Sequence, residues 1–303
     1  MLAPVCSQQP IESRLNPDLY TRFANVLHFV DAHLDEDLPL TRLAAVAGVS
    51  RWHFQRQFAA ALGLGVYEYI RLRRLKRASL QLAFRPTQSV LDIALDNGYA
   101  GPEAFARAFR QQLGQSPAAF RQSPQWRDWH YVYLPLYTLR NRIMTSQPTC
   151  QPEIVERAAT PVALLRHCGD PALLGQTIRS FISWRKRNHM PPSTHATYNV
   201  LYNDPYTTPP ADYRIDLAVA CTAPVAGGPE GLIAAELPGG RYARLRYTGP
   251  DETLGVAIAA LYTGWLAQSG ETLRETPLWI ERVRFYPDVP EHEAISDIYL
   301  PLV

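Results

Sequence analysis

No stretch of the 303 residues approaches the ~18 uninterrupted apolar positions that a membrane-spanning helix requires, so no helical span is expected. The opening, MLAPVCSQQP, has neither a basic start nor an apolar core, and no secretory leader is expected there. Cysteine is scarce: Cys6, Cys150, Cys168 and Cys221 form no CxxC pair. That spacing argues against both a disulfide framework and a zinc site, and it fits a reducing cytoplasm. Charged residues are only 19% of the chain against 47% hydrophobic, the balance of a folded protein rather than a disordered one. At roughly 100–200 residues per domain, two domains are expected. No motif points to a cofactor or a metal.

The small net charge of +2 conceals a division. Residues 1–150 hold 17 Lys and Arg against 11 Asp and Glu, whereas residues 151–303 hold 13 against 17. Between Leu38 and Leu82 there are eight basic residues and one acid, Glu68. A basic first half suits a polyanion partner, although a solvated helix face carries the same signature. Pattern divides the chain likewise. Residues 18–121 show apolar positions three and four apart with short glycine turns, which reads as all-helical. Residues 122–152 are punctuated by Pro124, Pro135, Pro148 and Pro152 and read as an irregular connector; its aromatics, Trp126, Trp129, Tyr131, Tyr133 and Tyr137, imply that it packs on a domain. Residues 153–303 alternate strand and helix patterns. The expected domains are therefore 1–121, the connector 122–152, and 153–303.

The first half contains an internal repeat. Leu43, Ala44, Gly48 and Val49 recur as Ile93, Ala94, Gly98 and Tyr99, and Phe54, Phe58, Leu62 and Gly63 recur as Phe105, Phe109, Leu113 and Gly114. Each copy fits a helix-turn-helix. A short helix ends at Gly48 or Gly98, where glycine takes a positive φ. Ser50 and Pro102 suit the start of the helix that follows. Phe54 with Phe58, and Phe105 with Phe109, are i,i+4 pairs aimed at a core. That leaves Arg51, Trp52, Gln55 and Arg56 on the outer face of the first recognition helix, and Glu103, Ala104, Arg107 and Arg110 on the second. Between them runs one helix, Val66 to Phe84, about 28 Å long at 1.5 Å per residue. That is near the ~34 Å of one DNA turn, so a monomer can set two recognition helices in successive major grooves.

Each outer residue has two readings. Arg56 and Arg107 donate to guanine O6 and N7 or to phosphate alone. Trp52 packs on thymine methyls and sugars, or is a surface aromatic; Gln55 reads adenine or nothing. Glu103 accepts from cytosine N4, or satisfies the helix dipole. Arg71, Arg73, Arg74, Lys76 and Arg77 divide between phosphate contacts and a solvated face, with Lys76 expected to touch phosphate.

This half resembles the DNA-binding domain of the AraC/XylS family of bacterial transcription regulators. The residues that carry the likeness are LTRLAAVAGVSRWHFQRQFAAALG, YIRLRRLKRA and VLDIALDNGYAGPEAFARAFRQQLGQSPAAFR. The Rob-type subgroup is nearest, through SRWHFQR. The resemblance implies that Trp52, Gln55, Arg56 and Arg107 face DNA, and it implies double-stranded DNA and RNA polymerase as partners. The chain departs from the family pattern at Pro102, Glu103 and Ala104.

The second half also repeats. Leu165, Arg166 and Gly169 match Leu245, Arg246 and Gly249, and Asp216-Leu217 matches Asp297-Ile298. Each copy reads strand (153–167; 232–248), helix (170–188; 251–268), strand (196–203; 279–286), strand (213–221; 294–302). The expected fold is an α+β domain of two β-α-β-β units about a pseudo-twofold axis. In residues 279–286 strand alternation puts Trp279, Glu281, Val283 and Phe285 on one face. A carboxylate among aromatics takes a proton, finds a partner or awaits a ligand. A cationic aromatic guest satisfies it and stacks on the rings; an arginine partner or a wet rim serves as well.

The LYNDP run, LPGGRYARLRYTGP, PLWIERVRFYP and the ISDIYLPL terminus resemble the GyrI-like effector-binding domain. In that family a central glutamate in an aromatic pocket binds lipophilic cations, and the resemblance sets Glu281 at that position. It implies Trp184, Tyr202, Tyr262, Trp265 and Tyr299 as walls. The chain then reads as a cytoplasmic regulator that binds DNA and senses a small-molecule effector, with no enzymatic activity. The alternatives are a GyrI-like hydrolase that pairs Glu281 with Tyr202 or Tyr262, and DNA binding with a ligand-less second domain.

Overall fold

The computed structural model describes residues 17–143, 151–223, 225, 230–286 and 288–303; Cys6, Cys150 and Pro148 lie outside them. The first half is helical: α1 (Pro17–Ala32), α2 (Leu40–Ala47), α3 (Arg51–Leu62), α4 (Val66–Phe84), α5 (Val90–Asp96), α6 (Pro102–Leu113) and α7 (Pro117–Gln122). Gly48 and Gly98 take φ of 65° and 69°. At Gly98 a Cβ would also come within 2.9 Å of the Leu34 carbonyl, so the close approach as well as the φ requires glycine. Pro102 opens α6 as expected. Ser50 precedes α3 but makes no side-chain capping bond; its carbonyl accepts from the amides of His53 and Phe54 instead. Phe54, Phe58, Phe105 and Phe109 are fully buried in a single core.

The connector is a correction. Residues Trp126–Ile143 form an 18-residue helix, α8, with Pro135 inside it. Proline count suggested irregularity, but one proline removes a single backbone donor. Against that, Trp126, Tyr133, Leu136, Leu139 and Ile143 bury one stripe in the helical core. The Trp129 indole adds a bond to the Ser79 hydroxyl at 2.6 Å. Tertiary packing outweighs the local signal.

The basic row on α4 is the second correction. None of it is a free cationic face. Arg73 and Lys76 are buried. Arg73 donates to Asp31 of α1 at 2.8 Å, to Glu252 at 2.8 Å and to Glu291 at 2.9 Å. Lys76 bonds Glu252 and reaches Glu291 at 3.1 Å. Arg140 of α8 completes the group on Asp31. Arg74 donates to the carbonyls of Leu34 and Glu36, and Arg77 to Asn97 Oδ1. Arg71 grips Glu68 through two bonds. Charge counting sees sign and spacing, but Glu252 and Glu291 lie some 180 and 215 positions downstream.

Three cations and three carboxylates thus meet in the interior, and they join α4 to the second domain. Around them, Tyr137 packs on Tyr206 with ring centroids 4.0 Å apart, and the Tyr286 hydroxyl donates to the Arg77 carbonyl at 3.2 Å. Burial pushes the Asp31 and Glu252 carboxyls up, but Arg140 and Arg73 on the first, and Lys76 and Arg73 on the second, outweigh it and hold both below the usual range. A depressed folded pKa contributes stability that is complete above the unfolded value, ~4, and is lost as pH falls below it. The apparent melting temperature is therefore expected to drop steeply below about pH 4, and Glu252→Gln should flatten that slope. Thermal melts from pH 7 to pH 3 check this; an identical slope in the variant overturns the assignment.

The second half is an eight-stranded antiparallel sheet with helices on one face: β1 (Glu153–Arg157), β2 (Thr160–Cys168), α9 (Leu174–Arg187), β3 (Thr197–Leu201), β4 (Arg214–Ala220), β5 (Ile233–Leu237), β6 (Gly240–Thr248), α10 (Leu254–Ala260), β7 (Leu278–Arg284) and β8 (Ile295–Pro301). Its order, β1-β6-β8-β7-β3-β4-β2-β5, is symmetric about the β7–β3 pair. Each first strand, expected as continuous, is two. β1 leaves its own repeat to pair with β6, and β5 crosses to pair with β2. The kinks touch where the arms cross: a Cβ on Gly239 would lie 2.7 Å from the Ala159 amide nitrogen. Alternation along each repeat cannot show which repeat an arm joins.

Candidate functional site

The two recognition faces are exposed. On α3, Arg51, Trp52, Gln55 and Arg56 face solvent, with Trp52 74% exposed, while Phe54 and Phe58 anchor the inner side. The Arg51 guanidinium stacks on the Trp52 ring, 4.3 Å from its centroid. On α6, Glu103, Arg107 and Arg110 are exposed outside Phe105 and Phe109. Helix α4 carries both units, its buried seam of Tyr69, Leu72, Leu75, Ser79 and Leu82 fixed in the common core. The exposed arginines on α3 and α6 have no ion-pair partner among the described residues. With the α4 row turned inward, they supply the cationic surface of these two helices.

On the sheet, alternation separates the proposed effector residues. Trp279 of β7 and Tyr299 of β8 lie on the face away from the helices, with Tyr198 of β3 and Tyr242 of β6. Trp279 stacks on Tyr299, centroids 4.0 Å apart, and meets Tyr198 and Tyr242 edge-on at 5.5 Å each. Glu281, two residues on, shares that face. Its carboxylate accepts from the Tyr299 hydroxyl at 3.2 Å and from Arg157 Nη2 at 3.4 Å. Burial and the neighbouring carboxylate push the Tyr299 hydroxyl up to about 12. Of the options for Glu281, the structure shows a partner at a half-buried rim, with 23% of the side chain exposed.

The remaining wall residues do not assemble around it. Trp184 is buried between α9 and the opposite face of the sheet, and Trp265 packs with α10 on that same side. Tyr262 is exposed on the π-helical turn that extends α10. Tyr202 donates to Asp216 at 2.9 Å. Phe285 follows the end of β7, and a register shift between Arg282 and Arg284 leaves Val283 exposed, so alternation fails beyond Glu281. The Glu281–Tyr202 and Glu281–Tyr262 pairs are thus absent, and the hydroxyl on Glu281 is that of Tyr299. Sequence reasoning missed Arg157, Tyr198 and Tyr242. Arg157 ends β1, where strand alternation runs on to 167, and the kink puts it on the partner repeat.

An exposed pair of helix-turn-helix units on one scaffold, followed by a two-repeat sheet with a glutamate among aromatic rings, marks a two-domain helix-turn-helix protein. Residues 150–303 match the GyrI-like small molecule binding domain, and the chain belongs to that family; residues 43–123 match a helix-turn-helix domain. The probable transcriptional regulator YgiV of Escherichia coli K12 is 32% identical over 155 residues, which cover 51% of this chain and 97% of that one. The right origin-binding protein of the same organism is 42% identical over 104 residues, 34% of this chain and 35% of its own length. The DNA-binding domain of AdpA, solved in complex with a target DNA, is 33% identical and covers 34% of this chain and 97% of that one, with a TM-score of 0.32. Among the described residues no helix is long and apolar enough to cross a membrane.

Proposed function

We propose that the protein is a cytoplasmic transcription regulator that binds one asymmetric DNA site as a monomer, with α3 and α6 in successive major grooves. The observation that carries this is the pair of exposed recognition faces held by one helix, α4, whose length of about 28 Å approaches one DNA turn. The relatives named as regulators of transcription support it, and RNA polymerase is the protein partner we propose for that role. Sedimentation of the full chain with a 20-base-pair duplex, selected from random sequence by the protein, is expected to show one chain per duplex. Affinity should fall steeply with salt, since phosphate contacts release counterions. Two chains on a palindrome would overturn the proposal.

We propose further that the second domain senses a small lipophilic cation and performs no catalysis. Glu281 beside Trp279 and Tyr299 supports this: a carboxylate next to aromatic rings is complementary to a lipophilic aromatic cation. Glu281→Gln keeps the shape and removes the charge. It is expected to weaken tetraphenylphosphonium binding by 1 kcal/mol or more, about the worth of a charged hydrogen bond, and to leave neutral triphenylphosphine oxide nearly unaffected. Calorimetry on both proteins checks this; equal losses for the two compounds would mean that Glu281 shapes the site without reading charge.

A further inference from the structure

The arrangement around Glu281 already contains a cation. The Arg157 guanidinium lies 5.0 Å from the Tyr299 ring centroid and 5.6 Å from that of Trp279, and its Nη2 is 3.4 Å from Glu281 Oε2. Those are the contacts that a cationic aromatic guest would make: ring faces within ~6 Å and a carboxylate opposite. A guest on Trp279, Tyr299 and Glu281 and the Arg157 head group therefore exclude one another.

Two features distinguish Arg157 from an ordinary structural partner. First, it terminates β1, an edge strand bonded on one side only, to β6, and its side chain is 31% exposed. An edge residue whose side chain is partly exposed can swing out without breaking the sheet core. Second, the pseudo-twofold axis offers a control. Leu237 ends β5 as Arg157 ends β1, and Val200 holds the place in β3 that Glu281 holds in β7. The same positions in the other repeat are thus apolar and buried. The sheet geometry does not need an ion pair there, and only the repeat with the aromatic stack has one.

We propose that Arg157 is the specificity-determining residue of the effector site, a tethered cation that any ligand must displace. It selects for guests whose charge is joined to an aromatic, apolar body. A small hydrated cation gains little on the rings and has no advantage over a guanidinium already held nearby. An aromatic monocation adds stacking area that the arginine lacks. The resident arginine lowers the apparent affinity by the fraction of time that it occupies the site. The proposal rests on the cation reading of Glu281 given above.

The test uses the full chain, with tetraphenylphosphonium as the probe. Neither a half-exposed ion pair nor a guanidinium over a ring is strong, so Arg157→Ala is expected to tighten binding roughly three- to thirtyfold. Arg157→Lys restores a mobile cation and should return affinity toward that of the wild type. Arg157→Ala with Glu281→Gln should lose the gain. Circular dichroism melts establish that each variant is folded, and Arg157→Gln, which keeps a polar stem, replaces the alanine variant should that one unfold. Unchanged or weaker binding on loss of Arg157, with the wild type binding the probe, overturns the displacement proposal and leaves the cation site standing. Absence of binding in wild type and variants alike overturns the cation reading, and this proposal with it.

Discussion

Arg73→Ala is expected to destabilise the protein by about 3–5 kcal/mol, the range for breaking a buried charge cluster by removing one member. Arg73 is 2% exposed and holds three carboxylates, Asp31, Glu252 and Glu291. Without it Asp31 keeps Arg140 and the Tyr69 hydroxyl, while Glu252 and Glu291 share Lys76. Three acids, two of them buried, then face two cations, and the uncompensated charge, more than the lost attraction, sets the cost. Because two of the acids belong to the sheet domain, the loss falls on the junction. A single thermal transition should separate into two, the sheet domain melting apart from the helices. Arg22→Ala is the reference: the Arg22–Asp18 pair is 43% and 63% exposed, and its loss should cost less than about 1 kcal/mol. Calorimetric scans of both variants decide the matter. A loss for Arg73→Ala no larger than for Arg22→Ala would show that the cluster does not hold the domains together.

The second large effect concerns DNA. Arg56→Ala and Arg107→Ala are each expected to cost about 1–3 kcal/mol on a selected duplex and to relax preference at one base pair. Both side chains are exposed on recognition helices, outside phenylalanine anchors that fix their direction. Lys76→Ala is the contrasting case. Charge alone suggested a phosphate contact and a uniform loss on all sequences. With its amine buried on Glu252 and Glu291, the expected outcome is lower stability and little change in DNA affinity where the variant is folded. Binding titrations of the three variants against selected and random duplexes separate these outcomes. If the arginine variants lose equally on both duplexes, Arg56 and Arg107 touch phosphate only. If Lys76→Ala weakens binding to every duplex while remaining fully folded, its outward reading is restored.

The fold class was legible in the sequence for a specific reason. Helix-turn-helix units are local: Gly48 with Phe54 and Phe58, and Gly98 with Phe105 and Phe109, lie within about eleven positions in each unit. Periodicity reports such features directly. The outward faces of α3 and α6 followed, because a helix with its apolar side fixed has its other side fixed too. Glu281 beside Trp279 was also legible, since two residues apart on a strand means one face.

What the tertiary structure alone decided was partnership across long separations. Identical charges on α4 had identical signatures in the chain, and only the approach of Glu252 and Glu291 made Arg73 and Lys76 interior residues. The prolines of the connector predicted irregularity, and burial of one stripe of α8 overrode them. The resemblance implies Trp184 and Trp265 as pocket walls, yet the side of the sheet on which a helix packs placed them opposite Glu281. Arg157 came to Glu281, 124 residues away, only because two strand arms exchange between repeats. The sequence by itself determined the helix-turn-helix elements and the outward faces of α3 and α6, because those depend on neighbours a few residues apart. The three-dimensional arrangement determined which charges meet, because a Coulomb interaction depends on distance in space and the chain records only distance along itself.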